Sequence, residues 1–160
     1  MIKKIKYHLF ALVSKFFMNV FVKNVSIGSK TTWRRKFNLI NEGGKINIGN
    51  NCFFNNECSI VSRGNIQIGN YSIFGENVKI YDHNHRFNKI NQSIKEQGYS
   101  IGTVQIGNNC WIGSNVVILK GTKIGDNCVI GAGCIIDFDI PSGTIVKLNN
   151  TYVCEEIRYV

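Results

Sequence analysis

The sequence predicts an all-β fold: a solenoid of stacked, three-sided coils made of short parallel strands. Three observations predict it. The chain repeats with a period of six, a large apolar residue takes the first slot of each hexad, and glycine is the commonest residue in the second slot. The first-slot residues are Ile48, Phe54, Ile60, Ile68, Phe74, Ile80, Ile106, Ile112, Ile118, Ile124, Ile130 and Ile136.

The repeat also predicts how the coils stack. First and fifth slots face the same side of an extended chain, and the fifth slot is mostly small or β-branched. Three hexads close one triangular coil, so Ile106 should lie over Ile124, with the coils about 4.8 Å apart as in any sheet. The glycine after each large residue is interpreted as a turn former. An ordinary sandwich is disfavoured, because its strands recur only every ~8–12 residues.

The cysteines fit the same register. Five of the six, namely Cys52, Cys58, Cys110, Cys128 and Cys134, occupy fifth slots. No CxxC zinc spacing is present, and we interpret them as small core residues in a reduced protein rather than as a disulfide framework.

Length and charge limit the function classes. A chain of 160 residues suits one domain, and its net charge is +9 with a pI near 9.4. Nine of the nineteen basic residues lie in the first 36 positions. No helix-turn-helix, zinc-finger or RNA-binding pattern accompanies them, so we expect no nucleic-acid partner.

The sequence divides into an N-terminal amphipathic helix (1–24), the solenoid (25–141) and a C-terminal tail (142–160). The apolar stretch Ile5–Val22 is interrupted by lysines and has no signal-type cleavage site, which favours a cytoplasmic protein. Two interpretations of the helix stay open. It caps the solenoid, or it makes a peripheral contact with the inner face of the cell membrane.

Residues 106–140 read IGNNCWIGSNVVILKGTKIGDNCVIGAGCIIDFDI, with Pro141 next. This segment resembles the hexapeptide-repeat acetyltransferases, the group of galactoside, maltose and polysaccharide O-acetyltransferases, and the likeness covers about residues 45–141. The resemblance implies a left-handed parallel β-helix, which the period alone does not specify. It also implies a homotrimer that binds acetyl-CoA between coils, with each active site drawing on two subunits.

Between Ile80 and Val104 the hexads stop, which predicts a protruding loop (83–103). IYDHNHRFN at its root resembles the family segment that carries the catalytic base, and the alignment assigns that role to His85, with His83 as the fallback. A neutral imidazole can accept the proton of a sugar hydroxyl, which contributes about 10²–10⁴ in rate. Asp82 and His83 are expected to contact the acceptor, or Asp82 to orient a histidine.

Other positions follow from the resemblance. Trp111, Gly113, Ser114, Ala132 and Lys147 are expected to bind acetyl-CoA, and Asn55 the acceptor. A backbone N–H in the Trp111–Ser114 turn is the candidate oxyanion donor. Two departures from the family pattern are noted. Ser62 stands where an acidic acceptor ligand is usual, and Asp137-Phe138 replaces a Thr-Lys pair.

The leading hypothesis is transfer of acetyl from acetyl-CoA to a hydroxyl of a cell-surface or capsular saccharide. N-acylation of an amino sugar is the second, and a non-catalytic solenoid used for assembly is the third. A zinc hydratase on the same fold needs three converging histidines, and His8 lies outside the solenoid, so no metal is expected.

Overall fold

The computed structural model describes residues 13, 16–18, 20 and 22–148. Most of the predicted helix (1–24) and residues 149–160 of the predicted tail lie outside this part of the chain. The described residues between 13 and 20 are helical, and the side chains of Met18 and Val22 pack against the solenoid core. These two contacts are those expected of a cap.

Five coils follow one another along the chain. Coil one holds β1 (Val25–Ile27), β2 (Thr32–Trp33) and β3 (Asn38–Asn41), and coil two holds β4 (Lys45–Ile48), β5 (Phe53–Phe54) and β6 (Ser59–Ser62). Coil three holds β7 (Asn65–Ile68), β8 (Ile73–Phe74) and β9 (Lys79–Tyr81). The chain then leaves the solenoid through β10 (His83–His85), a 3-10 turn (Ile94–Glu96) and β11 (Tyr99–Ile101).

Coil four holds β12 (Thr103–Ile106), β13 (Trp111–Ile112) and β14 (Val117–Ile118), and coil five holds β15 (Lys123–Ile124), β16 (Val129–Ile130) and β17 (Ile135–Ile136). The last described strand, β18 (Ile145–Val146), pairs in parallel with β16. The solenoid therefore continues into the segment predicted as a tail.

Three parallel sheets form the faces of the prism. The first face is β1-β4-β7-β12-β15, the second is β2-β5-β8-β13-β16-β18, and the third is β3-β6-β9-β14-β17. We call the corner between the second and third faces the second edge, and the corner between the third and first faces the third edge. Ile106 pairs with Ile124, Ile112 with Ile130 and Ile118 with Ile136, as the period of 18 predicts. The all-β parallel β-helix is confirmed.

The interior is a column of first-slot and fifth-slot side chains. All twelve first-slot residues named above are buried, and Phe54 stacks on Phe74 with ring centroids 4.3 Å apart. The five solenoid cysteines are buried and unpaired with each other, which confirms their interpretation as core residues. Burial raises the thiol pKa of Cys52, Cys58, Cys110 and Cys134, so these thiols are poor nucleophiles.

The second-slot glycines have a different role from the one predicted. The left-handed backbone lies in the fourth slot, for example at Asn51, Asn77 and Asn109, rather than at these glycines. A Cβ on Gly69 would lie 2.6 Å from the carbonyl carbon of Gly107 in the next stacked coil. Glycine is therefore needed in the second slot because neighbouring coils approach each other too closely for a side chain.

Candidate active site

The interruption of the repeat is an antiparallel hairpin at the third edge. His83 pairs with Ile101 and His85 with Tyr99, and the Gly102 N–H donates to the Asp82 carbonyl at 2.7 Å. Residues 86–98 form its tip. The tip is ordered by the buried amide of Gln97, which donates to the carbonyls of Lys89 and Gln92 and accepts from the Lys89 N–H. The histidines thus stand on a paired strand and not on a loose loop.

Asp82 and His83 form the central contact of the hairpin base. The Asp82 side chain is fully buried, and its Oδ1 lies 3.0 Å from Nδ1 of His83. The same oxygen accepts the Arg63 N–H at 2.8 Å. Oδ2 accepts the Ser62 hydroxyl at 2.6 Å and the Gly64 N–H at 2.8 Å. Four donors therefore hold one carboxylate, and one of them is the imidazole.

The inward direction of these two side chains follows from strand length. Coil two carries two more residues than an 18-residue coil, since Ile48 pairs with Ile68, and its strand β6 runs for four residues. Side chains alternate along a strand, so Ile60 points inward, Val61 outward and Ser62 inward again. Val61 pairs with Tyr81, which places Asp82 next to Ser62. Ser62 is fully buried and does not face an acceptor as its aligned position suggested.

The surroundings favour an ionised Asp82. Burial, the largest influence, raises its pKa. The hydrogen bonds from the Arg63 N–H, the Ser62 hydroxyl, His83 and the Gly64 N–H together outweigh burial and hold the pKa below its ordinary value of 3.8. An ionised carboxylate facing Nδ1 fixes the proton of a neutral imidazole on that nitrogen. The lone pair of Nε2 is then left to accept another proton.

Tyr99 packs against both histidines. Its ring centroid lies 5.4 Å from that of His83, edge to face, and 4.6 Å from that of His85. The guanidinium of Arg63 lies 3.7 Å from the Tyr99 centroid and forms a 2.7 Å ion pair with Glu42. His83 is mostly covered by these groups, with 12% of its side chain exposed, whereas His85 is exposed.

The remaining predicted site residues lie elsewhere on the prism. Asn55, Gly113, Ser114, Ala132 and Lys147 follow second-face strands and lie along the second edge, and Trp111 projects from the second face. Asn55 Oδ1 accepts from Arg34 Nη1 at 3.2 Å, and Ser114 Oγ accepts the Glu76 N–H at 3.1 Å. One chain therefore places the predicted acetyl-CoA residues and the histidines at different corners.

Backbone hydrogen bonds along the second edge limit which N–H groups are available as the oxyanion donor. The N–H groups of Trp111 and Gly113 donate to the carbonyls of Cys128 and Ile130 at 2.9 and 2.8 Å, so both serve the sheet. Ile112 lies within β13, which pairs with β8 and β16, so the Ser114 N–H is the candidate that remains in this turn. A Cβ on Gly113 would lie 2.6 Å from the Ala132 nitrogen, so the turns of coils four and five are in close contact here.

Comparisons with known proteins identify the family and support the fold. The family model "Bacterial transferase hexapeptide (six repeats)" matches residues 103–137. The chain is 39% identical to the galactoside O-acetyltransferase of Escherichia coli (strain K12) over 118 residues, covering 72% of this chain and 56% of that protein. The chain belongs to the hexapeptide-repeat acetyltransferase family. It is also 34% identical to the galactoside O-acetyltransferase of Lactococcus lactis subsp. lactis over 107 residues, covering 66% of this chain and 50% of that protein.

Solved members of the family share the fold. A maltose O-acetyltransferase from Clostridium difficile 630 matches with a TM-score of 0.65 and 27% identity, covering 88% of this chain and 81% of that one. A hexapeptide-repeat acetyltransferase from Vibrio cholerae, solved with acetyl-CoA, matches with a TM-score of 0.68 at 20% identity over 92% of this chain and 85% of that one. The chain spans about half the length of the curated relatives it matches.

Among residues 22–148 and the few placed before them, no cluster of three His, Cys, Asp or Glu side chains could hold a metal ion. In the same part of the chain no helix is long and apolar enough to cross a bilayer.

Three residues of the hairpin base were not singled out as part of the histidine site by sequence reasoning: Ser62, Arg63 and Tyr99. Ser62 was noted only as a departure from the family pattern. Tyr99 lies in the stretch without periodicity, so no register pointed to it. Arg63 occupies a fourth slot, which elsewhere is a turn position.

Proposed function

We propose that this protein transfers acetyl from acetyl-CoA to a hydroxyl of a cell-surface or capsular saccharide, with a hairpin histidine as the general base. The observation that carries the proposal is the Asp82–His83 contact, a buried carboxylate bonded to Nδ1 of an imidazole. A carboxylate in that position holds the imidazole in the tautomer and orientation of a base. The acetyltransferase relatives supply the reaction class.

Of the two histidines, the geometry favours His83 over His85 as the base. His85 was the residue expected from the sequence, and it packs on Tyr99 with an exposed side chain. His83 has the carboxylate partner and is packed against Tyr99. Its side chain is therefore already held in one orientation before the acceptor binds. In the proposed step, Nε2 of His83 takes the hydroxyl proton as the acceptor oxygen forms a bond to the thioester carbon. The carbon–sulfur bond then breaks, and the imidazolium of His83 gives its proton to the departing sulfur, so coenzyme A leaves as its thiol and the imidazole becomes neutral again.

The separation of the histidines from the predicted acetyl-CoA residues supports a homotrimer. The fold is consistent with the trimers usual in this family. A third edge of one subunit facing the second edge of another would bring His83 close to Ser114 and Trp111. Each complete site would then use residues from two chains, and no single chain would hold one.

The outward rows of two faces support covering the second face rather than the first in the trimer. On the second face, Ile73, Trp111 and Ile145 project outward in one row and are 46%, 56% and 63% exposed. On the first face, the corresponding row is polar: Asn47, Gln67, Gln105 and Lys123. Burial of the apolar row against a second subunit removes it from water, whereas the polar row gains nothing from burial.

We also propose that the enzyme is cytoplasmic and touches the membrane surface through its N-terminal segment. Phe16 and Val20 on the helical segment are more than half exposed, and the first 36 positions carry nine basic residues. An apolar surface flanked by positive charge suits an anionic bilayer, where lipid-linked glycans are found.

The proposal is tested by incubating the purified protein with acetyl-labelled acetyl-CoA and a panel of capsular and lipopolysaccharide fragments. We expect label on saccharide that mild base releases, because an acetyl ester is base-labile. Base-stable label on an amino sugar would establish N-acylation instead. No transfer to any fragment, together with no binding of coenzyme A by calorimetry, would leave the non-catalytic solenoid as the function.

A further inference from the structure

We propose that Ser62 is a positioning residue for the hairpin base, holding Asp82 so that its other oxygen faces His83. The inference rests on the proposed acetyl transfer and adds to it a residue whose aligned position suggested acceptor binding. Its hydroxyl touches Asp82 and no acceptor surface, because both side chains are fully buried.

The contact between Ser62 and Asp82 is the shortest of the four made by the carboxylate. Ser62 Oγ lies 2.6 Å from Asp82 Oδ2 and 3.4 Å from the Lys45 carbonyl, so its one proton goes to the carboxylate. Two of the other three donors are the backbone N–H groups of Arg63 and Gly64, which the fold itself supplies. Ser62 is therefore the donor that a side-chain change can remove without altering the backbone or the histidine.

The two oxygens of the Asp82 carboxylate have different partners, and only one of them contacts the histidine. Oδ2 is held by Ser62 and Gly64, and Oδ1 is shared by Arg63 and His83. Without the hydroxyl, Oδ2 keeps one donor inside a site that excludes water, and the carboxylate can rotate away from Nδ1 to recover a second one. The lost hydrogen bond then changes the orientation of His83, which lies on β10 of the hairpin and makes no hydrogen bond with Ser62.

The chain offers a matched control in Ser72. Ser72 is also fully buried, and its hydroxyl also bridges two coils, donating to the Gly107 carbonyl and accepting the Cys110 N–H, both at 3.1 Å. It lies at the corner between the first and second faces, away from the hairpin. Ser72→Ala therefore removes a comparable buried hydrogen bond without touching the carboxylate.

The experiment compares the whole protein with Ser62→Ala, Ser62→Cys and Ser72→Ala by kinetics and by NMR of labelled aspartate and histidine. For Ser62→Ala we expect kcat to fall roughly tenfold with the KM for acetyl-CoA within about twofold, since a hydrogen bond to a charged group is lost. Ser62→Cys keeps the volume and donates weakly, so its kcat should fall between. Ser72→Ala should match the wild type in kcat.

The NMR measurement follows the Asp82–His83 contact independently of enzymatic turnover. In Ser62→Ala the Asp82 carboxyl should become protonated at a higher pH than in the wild type, and the Nδ1-protonated form of His83 should be less populated. Ser72→Ala should change neither. Unchanged Asp82 and His83 signals in folded Ser62→Ala would overturn the inference. Changed signals in a protein that transfers no acetyl would keep the positioning contact and reject the proposed function.

Discussion

Nδ1 of His83 lies 3.0 Å from Oδ1 of Asp82, and this carboxylate is buried beneath the hairpin that carries both histidines of the DHNH segment. The order of the two histidines along the strand explains why Asp82 contacts His83 and not His85. Asp82 points into the solenoid at the strand's end, and His83, its immediate neighbour, can reach back to it. His85 lies two residues further out, opposite Tyr99.

The buried Asp82 should make the stability of the protein depend on pH at the acid side. Its folded-state pKa lies below the ordinary 3.8, so its stabilising contribution is complete above about pH 3.8 and is lost as the pH falls from there through the folded-state value. Asp82→Asn has no such proton to take up. We expect its unfolding free energy to fall less steeply than that of the wild type below pH 3.8, measured by urea unfolding at fixed protein concentration. Parallel curves would show that Asp82 is not held ionised by its donors.

The second-slot glycines should be intolerant of alanine wherever another complete coil is stacked on them. In Gly69→Ala the new Cβ would meet the Gly107 backbone at 2.6 Å. Gly131 is the control, because it has the same slot but its nearest neighbour, the Val146 carbonyl oxygen, is 3.1 Å away. Thermal unfolding should show a much larger loss for Gly69→Ala, and equal losses would remove close approach as the reason for glycine.

Ile112 tests the core column. It is fully buried and pairs with Phe74 on one side and Ile130 on the other. Ile112→Ala should lower the unfolding free energy by about 2–5 kcal/mol, the usual cost of a cavity at a core isoleucine. Denaturant unfolding measures it, and a loss below about 1 kcal/mol would mean that the column does not carry the stability assigned to it.

Removal of residues 1–22 separates the two interpretations of the N-terminal segment. Met18 and Val22 pack on the core, so their loss should lower thermal stability if the segment caps the solenoid. Flotation with anionic and neutral liposomes tests the membrane proposal. The full chain should float with anionic vesicles and the truncated chain should not. Equal flotation of both would reject membrane contact through this segment.

Much of the solenoid could be predicted because its information is local and periodic. Each first-slot isoleucine marks its own place in a coil, and the spacing of 18 gives its partner. The sequence does not show at which point of coil two its two extra residues are inserted. The resemblance to the family put Ser62 at an acceptor position, although the longer strand β6 turns its side chain inward. One added residue per strand end is enough to reverse the direction of a side chain.

The hairpin base was less accessible to sequence reasoning. Tyr99 and His83 are sixteen positions apart in a segment without repeat, and their contact depends on antiparallel pairing that begins only where the solenoid is interrupted. The prediction that the site lies at the root of this loop rested on DHNH and on the break in the hexads. His83 and His85 lie two residues apart on the same face of β10, so their contact with the carboxylate depends on their distance from Asp82 along the strand, which only the structure shows.

The most direct test of the account is the turnover of His83→Ala beside that of His85→Ala, measured with labelled acetyl-CoA and the acceptor found in the panel. If Asp82 orients the base, His83→Ala should lower kcat by about 10² or more, and His85→Ala by much less, with both proteins folded. A His83→Ala enzyme that turns over like the wild type, or a large loss confined to His85→Ala, would contradict the assignment of the base.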